Sequence, residues 1–161
     1  MERTQPSSCV KIEKMIQPLR PDGLLPPGIH VADDWGEVEK RFGAATRRDE
    51  LLKKLKAGLE HLRDAGCPWV LLDGSFVSDK SDPNDVDGCW EYTPQVDLAL
   101  LDIAFVRLLP GDRTRLKALY GMDFFIADMI EGGSGQPFSS FFQGDRAGNP
   151  KGIVRLELNR L

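Results

Sequence analysis

The chain has 161 residues, 41% of them hydrophobic and 29% charged, which suits one globular core and leaves little room for a second. Its formal net charge of −4 argues against broad electrostatic capture of nucleic acid, which needs Lys and Arg massed on one face. No apolar run approaches the roughly 20 residues that span a bilayer, and Met1 to Ser8 lacks the apolar stretch of a signal peptide, so the expectation is a soluble, cytoplasmic protein without membrane contact.

In chain order, Pro6, Pro18, Pro21, Pro26 and Pro27 break the segment from Met1 to Gly28. Such spacing cannot sustain a helix and predicts an N-terminal arm over residues 1–28, wrapped on a single domain that fills 1–161. A short helix is expected from Trp35 to Phe42. Asp34 can cap it, Glu37 stands where a capping box places its acid, and Gly43 can end it. The longest helix follows, with Thr46 as N-cap and Leu51, Leu55, Leu59 and Leu62 on one stripe; Gly66 and Pro68 stop it. Its other face carries Arg48, Lys53, Lys54, Lys56, Glu60 and Arg63 and reads as solvated surface.

Trp69 to Leu72 is a short apolar run between turn formers, the pattern of a buried strand that delivers Asp73-Gly74-Ser75 at its end. Ser78 to Asn84 is a polar loop, and Asp85 to Tyr92 a second strand. After Pro94, the residues Val96, Leu100, Ile103 and Ala104 fit one helical face. Arg113 to Tyr120 forms a helix with Asp112 as cap and Gly121 as terminator, and Met122 to Ile126 a third strand. Gly132 to Gly135 is a flexible loop, Pro137 to Gln143 a short helix, and Ile153 to Leu158 a last strand after the Gly148-Asn149-Pro150 turn. Strands and helices follow without regular alternation, which predicts an α+β fold with a small mixed sheet flanked by helices. The cysteines Cys9, Cys67 and Cys89 are odd in number and too far apart for a zinc or redox motif, so they read as reduced thiols without chemistry.

One constellation points to chemistry. In a strand, residues i and i+2 project to the same side, so Asp85 and Asp87 stand together with Val86 directed into the core. Asp73, Asp79 and Asp82 crowd the same neighbourhood, with only Lys80 nearby in sequence to offset them. A divalent cation relieves such repulsion, and hard carboxylate oxygens suit Mg²⁺ or Mn²⁺. Gly74 permits a sharp turn and close ligand approach, and Ser75 adds a hydroxyl, together forming a seat for phosphate; Lys80 is a candidate phosphate contact. A third acid is wanted, and Asp123 inside an apolar strand is the first choice, as metal ligand or general base, with Asp128, Asp97 and Asp102 as competitors. Each part has a structural reading too: Asp82-Pro83-Asn84-Asp85 is good turn chemistry, and Trp90 and Tyr92 serve a core as readily as a nucleobase. His30 and His61 lie far from any recognisable nucleophile and read as packing or surface residues.

The Leu72-Asp73-Gly74-Ser75 turn followed by Asp85-Val86-Asp87 resembles the polymerase-beta-like nucleotidyltransferase superfamily. More narrowly, Leu25-Pro26-Pro27-Gly28-Ile29-His30, Asp73 to Val77, Pro83 to Trp90, Phe141-Phe142-Gln143 and Pro150 to Val154 are similar to an uncharacterised bacterial family of small nucleotidyltransferase-like proteins. The resemblance implies Mg²⁺ and a nucleoside triphosphate, with Gly74 and Ser75 on phosphate and Asp85 and Asp87 on metal. The acceptor it leaves open: protein, RNA or a small molecule. Gly88 departs from that pattern by standing where an apolar residue continues the strand. With the proline-rich arm, this motivates an alternative: a non-catalytic binding module that retains the fold, such as an antitoxin or regulatory subunit in a toxin–antitoxin pair.

Overall fold

The computed structural model of the chain describes residues 10–43 and 46–161, the side chain of Thr46 excepted. Eleven elements follow in order among them: β1 Ile12–Glu13, β2 Gly28–Val31, α1 Trp35–Phe42, α2 Thr46–Asp64, β3 Trp69–Asp73, β4 Val86–Trp90, α3 Ala104–Arg107, α4 Pro110–Tyr120, β5 Met122–Ile126, α5 Phe138–Phe141 and β6 Gly152–Glu157. The six strands form one mixed sheet in the order β1-β2-β6-β3-β4-β5. β1, β2 and β6 run parallel, β3 is antiparallel to both β6 and β4, and β4 and β5 are parallel. The architecture is mixed α+β, as the irregular order of elements predicts. No helix among the described residues is long and apolar enough to cross a membrane.

Strand parity divides the residues between two layers. On one side Leu55, Leu59 and Leu62 of α2, all fully buried, pack in one cluster with Val70, Leu72, Val86, Trp90 and Phe124 of the sheet. Truncating such a leucine to alanine costs about 2–5 kcal/mol, so this layer carries much of the stability. On the other side Leu71, Cys89 and Ile153 meet Phe138 and Phe142, with Phe125 packed against them. Asp73, Asp87 and Asp123 lie two residues from Leu71, Cys89 and Phe125, and therefore on this second face.

Gly88 has no room for a side chain. A Cβ there would lie 2.2 Å from the carbonyl oxygen of Leu71 and 2.8 Å from the ring of Phe124. The glycine that breaks the apolar pattern of β4 is thus a packing requirement, with the Phe124 ring filling its place.

Several local expectations change. Asp34 does cap α1, accepting from the N–H of Glu37 at 2.9 Å, but Glu37 reaches the N–H groups of Asp33 and Ile16 rather than that of the cap. The cap expected of Thr46 and the thiol of Cys9 lie outside the described residues. Arg48 is not on a solvated face; it is 6% exposed and buried beneath the turn after β3. Asp112 is not the cap of α4, which begins at Pro110. It sits one turn inside, where its carboxylate accepts from the N–H of Leu109 and pairs with Arg107. The expected helical face from Val96 to Ala104 is absent: Leu100 and Ile103 are 61% and 59% exposed, and only Ala104–Arg107 is helical. Within the arm, Ile12–Glu13 adds a short edge strand beside β2.

Candidate metal centre and its cleft

The register of the sheet assembles the site. Asp73 on β3 pairs with Asp87 on β4, and Asp87 pairs with Asp123 on β5, so three carboxylates form one row across three neighbouring strands. Asp85 directly precedes β4 and joins them from the loop. Carboxylate oxygens of Asp85, Asp87 and Asp123 all lie within 4.8 Å of one another. Asp97, Asp102 and Asp128 are not in that group. Asp102 is held by Arg115 at 2.9 Å, and Asp97 accepts from the backbone of Ala99.

The Gly74 turn is built against this row. Gly74 has φ +80°, and a Cβ at that position would lie 2.4 Å from Oδ2 of Asp87. Only glycine supplies both the left-handed backbone and the space. Ser75 follows, half-buried, and its carbonyl accepts from the hydroxyl of Ser78 at 2.6 Å. Arg48 fixes the turn from below, donating to the carbonyls of Phe42, Phe76, Ser75, Ser78 and Lys80. Burial holds its guanidinium below the usual arginine range, with Asp79 acting in the opposite sense.

Cations from distant parts of the chain offset the acids, so Lys80 is not their only counter-charge. Nζ of Lys151, just ahead of β6, donates to Oδ1 of Asp73 at 2.6 Å. Arg113 on α4 donates twice to Asp123, and Lys117 lies 3.5 Å from Asp123 and 3.7 Å from Asp85. Arg47 pairs with Asp82 at 2.7 Å. Asp87 has no such partner among the described residues. Burial pushes its carboxyl up to about 6, and Asp85, Asp123 and Asp73 push the same way against Lys151. Burial also raises Asp73, which Lys151 and the N–H of Gly74 partly offset.

Gly74, Ser75, Asp85 and Asp87 open on a cleft of about 940 Å³, whose walls also include Lys80, Lys151, Phe141 and Arg146. Asp123 is 9% exposed and is not among the cleft walls. The remaining expected features lie elsewhere. Trp90 is wholly buried and Tyr92 lies outside the cleft walls. His30 is a core residue whose Nδ1 accepts from the N–H of Gln17 while Nε2 lies 2.7 Å from the carbonyl of Pro26. Nε2 of His61 accepts from the N–H of Asp102. Burial pushes the thiol of Cys67 up to about 12 and that of Cys89 upward too, so neither is poised to react.

A family model described as "Family of unknown function (DUF6932)" matches residues 17–157. The chain belongs to that family. The matched span contains the whole acid row, the Gly74 turn, Arg48, Arg113 and Lys151. No curated protein and no solved structure matches the chain.

Sequence reasoning found the acids and the glycine but missed Arg48, Arg113, Lys117 and Lys151. Each resembles an ordinary surface cation in sequence, and only the packing of α2, α4 and the approach to β6 brings it to the site.

Proposed function

We propose that this protein is a metal-dependent nucleotidyltransferase with a polymerase-beta-like fold, moving a nucleoside monophosphate from a nucleoside triphosphate to a hydroxyl. The observation that carries the reading is the sharing of one cleft wall by the Gly74-Ser75 turn and the paired carboxylates Asp85 and Asp87. The donor set fits a hard divalent cation. Its ligands are all carboxylate oxygens, and Asp87, crowded by Asp85, Asp123 and Asp73 and paired directly with no cation among the described residues, carries a charge that such an ion would neutralise. Asp85 and Asp87 would hold Mg²⁺ or Mn²⁺, with Asp123 as third ligand or general base once Arg113 yields it. When bound, the ion supplies charge neutralisation to the acids and to the polyphosphate.

The chain's own residues do the rest. Gly74 lets phosphate approach the backbone, Ser75 offers a hydroxyl, and Lys80 and Lys151 set positive charge on the same wall. In the transfer, the acceptor oxygen bonds to the α-phosphorus while the bond to the bridging oxygen of the leaving pyrophosphate breaks and that oxygen keeps the electron pair. The acceptor proton passes to a carboxylate of the row. The acceptor itself is a protein, an RNA or a small molecule, and the reaction is placed in the cytoplasm.

Incubation with Mg²⁺ or Mn²⁺, each labelled triphosphate and extract of the native host tests the reading. Pyrophosphate release or a labelled acceptor is expected from the wild type and not from the double variant Asp85→Asn with Asp87→Asn. Equal behaviour of the two proteins sinks it.

A second reading is favoured by Arg113 and Lys117. Cations of the chain itself already neutralise Asp123 and Asp85, an arrangement that suits a non-catalytic module such as an antitoxin or regulatory subunit. Tight binding of a host protein together with no metal-dependent nucleotide binding in calorimetry would select this alternative.

A further inference from the structure

The cleft wall mixes two chemistries: Ser75, Asp85, Asp87 and Lys151 line it together with Phe141 and Arg146. Phe141 terminates a run of packed rings. Phe125 and Phe138 lie face to face with centroids 4.1 Å apart and 5° between their planes, and Phe141 meets Phe138 edge-on at 6.1 Å. Phe142 also packs against it, 5.4 Å away and tilted by 58°. Phe138 and Phe142 are buried in this stack, whereas Phe141 remains 39% exposed and forms part of the cleft wall.

An aromatic ring braced by other rings and partly exposed in a cleft is a rigid platform. It has little rotamer freedom to lose when a flat ligand covers it. The cleft volume of about 940 Å³ falls within the roughly 300–1,000 Å³ of small-molecule sites. A ligand that satisfies both chemistries carries an anionic group for the glycine turn and the lysines and a planar aromatic group for Phe141.

We infer that Phe141 is the base-stacking residue of this site, and that the bound nucleotide is preferentially a purine nucleotide. The inference rests on the nucleotidyltransferase reading and extends it to the class of substrate. Stacking is indifferent to hydrogen-bonding pattern but grows with the area of overlapping π-surface, so adenine and guanine gain more on the ring than cytosine and uracil.

The test is titration calorimetry in Mn²⁺ with ATP, GTP, CTP, UTP and inorganic tripolyphosphate, using wild type, Phe141→Ala and Phe141→Trp. Expected for wild type is tighter binding of both purine nucleotides than of both pyrimidines. Phe141→Ala should weaken ATP and GTP by about tenfold and leave tripolyphosphate unchanged, and Phe141→Trp should restore them. Unchanged ATP affinity in Phe141→Ala overturns the stacking role, and equal loss for ATP and tripolyphosphate assigns the ring to the shape of the cleft instead. Equal affinity for all four nucleotides overturns the purine preference. If wild type binds neither tripolyphosphate nor any nucleotide, the transferase reading falls together with this one.

Discussion

The guanidinium of Arg113 donates two hydrogen bonds to the carboxylate of Asp123, Nε to Oδ1 at 3.0 Å and Nη2 to Oδ2 at 2.8 Å. An oxygen of that carboxylate belongs to the cluster with Asp85 and Asp87, so a divalent ion bound there would compete with Arg113 for it. The arginine side chain is 41% exposed, and a pair of that kind is worth about 1 kcal/mol. Arg113→Gln should therefore tighten Mn²⁺ binding by about fivefold. Titration calorimetry reads this directly, and identical affinities would mean that the guanidinium does not oppose the ion.

Acidity at Asp87 should shape stability. Its carboxyl is pushed up to about 6 in the folded protein, first by burial and then by three neighbouring acids. Unfolded, an aspartate titrates near 3.9, so the folded state binds its proton more tightly. The added stability is complete below about pH 4 and is lost as the pH rises through about 6. Asp87→Asn escapes that loss. Relative to pH 4, the variant should gain roughly 3 kcal/mol over wild type above pH 7. Urea denaturation in chelator from pH 4 to pH 8 measures it, and a gap that does not vary with pH assigns the effect to something other than this charge.

Two glycines should respond differently. Gly88→Ala drives a methyl into the Leu71 carbonyl and should destabilise the fold by about 3 kcal/mol or more, because backbone cannot yield as a side chain can. Gly74→Ala meets the movable carboxylate of Asp87 and a left-handed φ, for a cost of about 1–2 kcal/mol. Its larger effect should be on Mn²⁺ affinity, since Asp87 must swing away. Thermal melts and metal titrations of both variants separate the outcomes; a Gly74→Ala protein with full metal affinity would show that Asp87 keeps its place.

Arg48→Met should loosen the turn that carries Ser75. Five carbonyls lose a shared donor in a largely buried setting, with an expected loss of about 3 kcal/mol. Hydrogen exchange should speed up at Phe76 to Lys80 before the rest of the sheet, and uniform change across the chain would count against a local role.

How much of this was legible in the sequence depended on the range of the interaction. Leu51 to Leu62 and Trp69 to Leu72 announce α2 and β3 through local periodicity, and both form close to their expected bounds. Val96 to Ala104 carries helical spacing but does not become one helix. Asp97 and Asp102 bond the N–H groups of Ala99 and Ala104, two residues on, offering the backbone turns instead. β2 is four residues behind two prolines, and its pairing with β6 is invisible to any local window. Asp85 and Asp87 reveal their proximity through spacing alone. Asp123 reaches them only through strand pairing, and Arg113 and Lys151 only through tertiary packing.

The position of β6 bears on how the chain reaches its folded state. This strand comes last in sequence yet lies between β2 and β3, so it alone joins the β1-β2 pair to the β3-β4-β5 trio. During synthesis, each half waits with an unpaired edge until Gly152–Glu157 leaves the ribosome. Nascent protein stalled before that segment should be protease-sensitive and prone to aggregate, and closure of the sheet should be slow because its pairings span most of the chain.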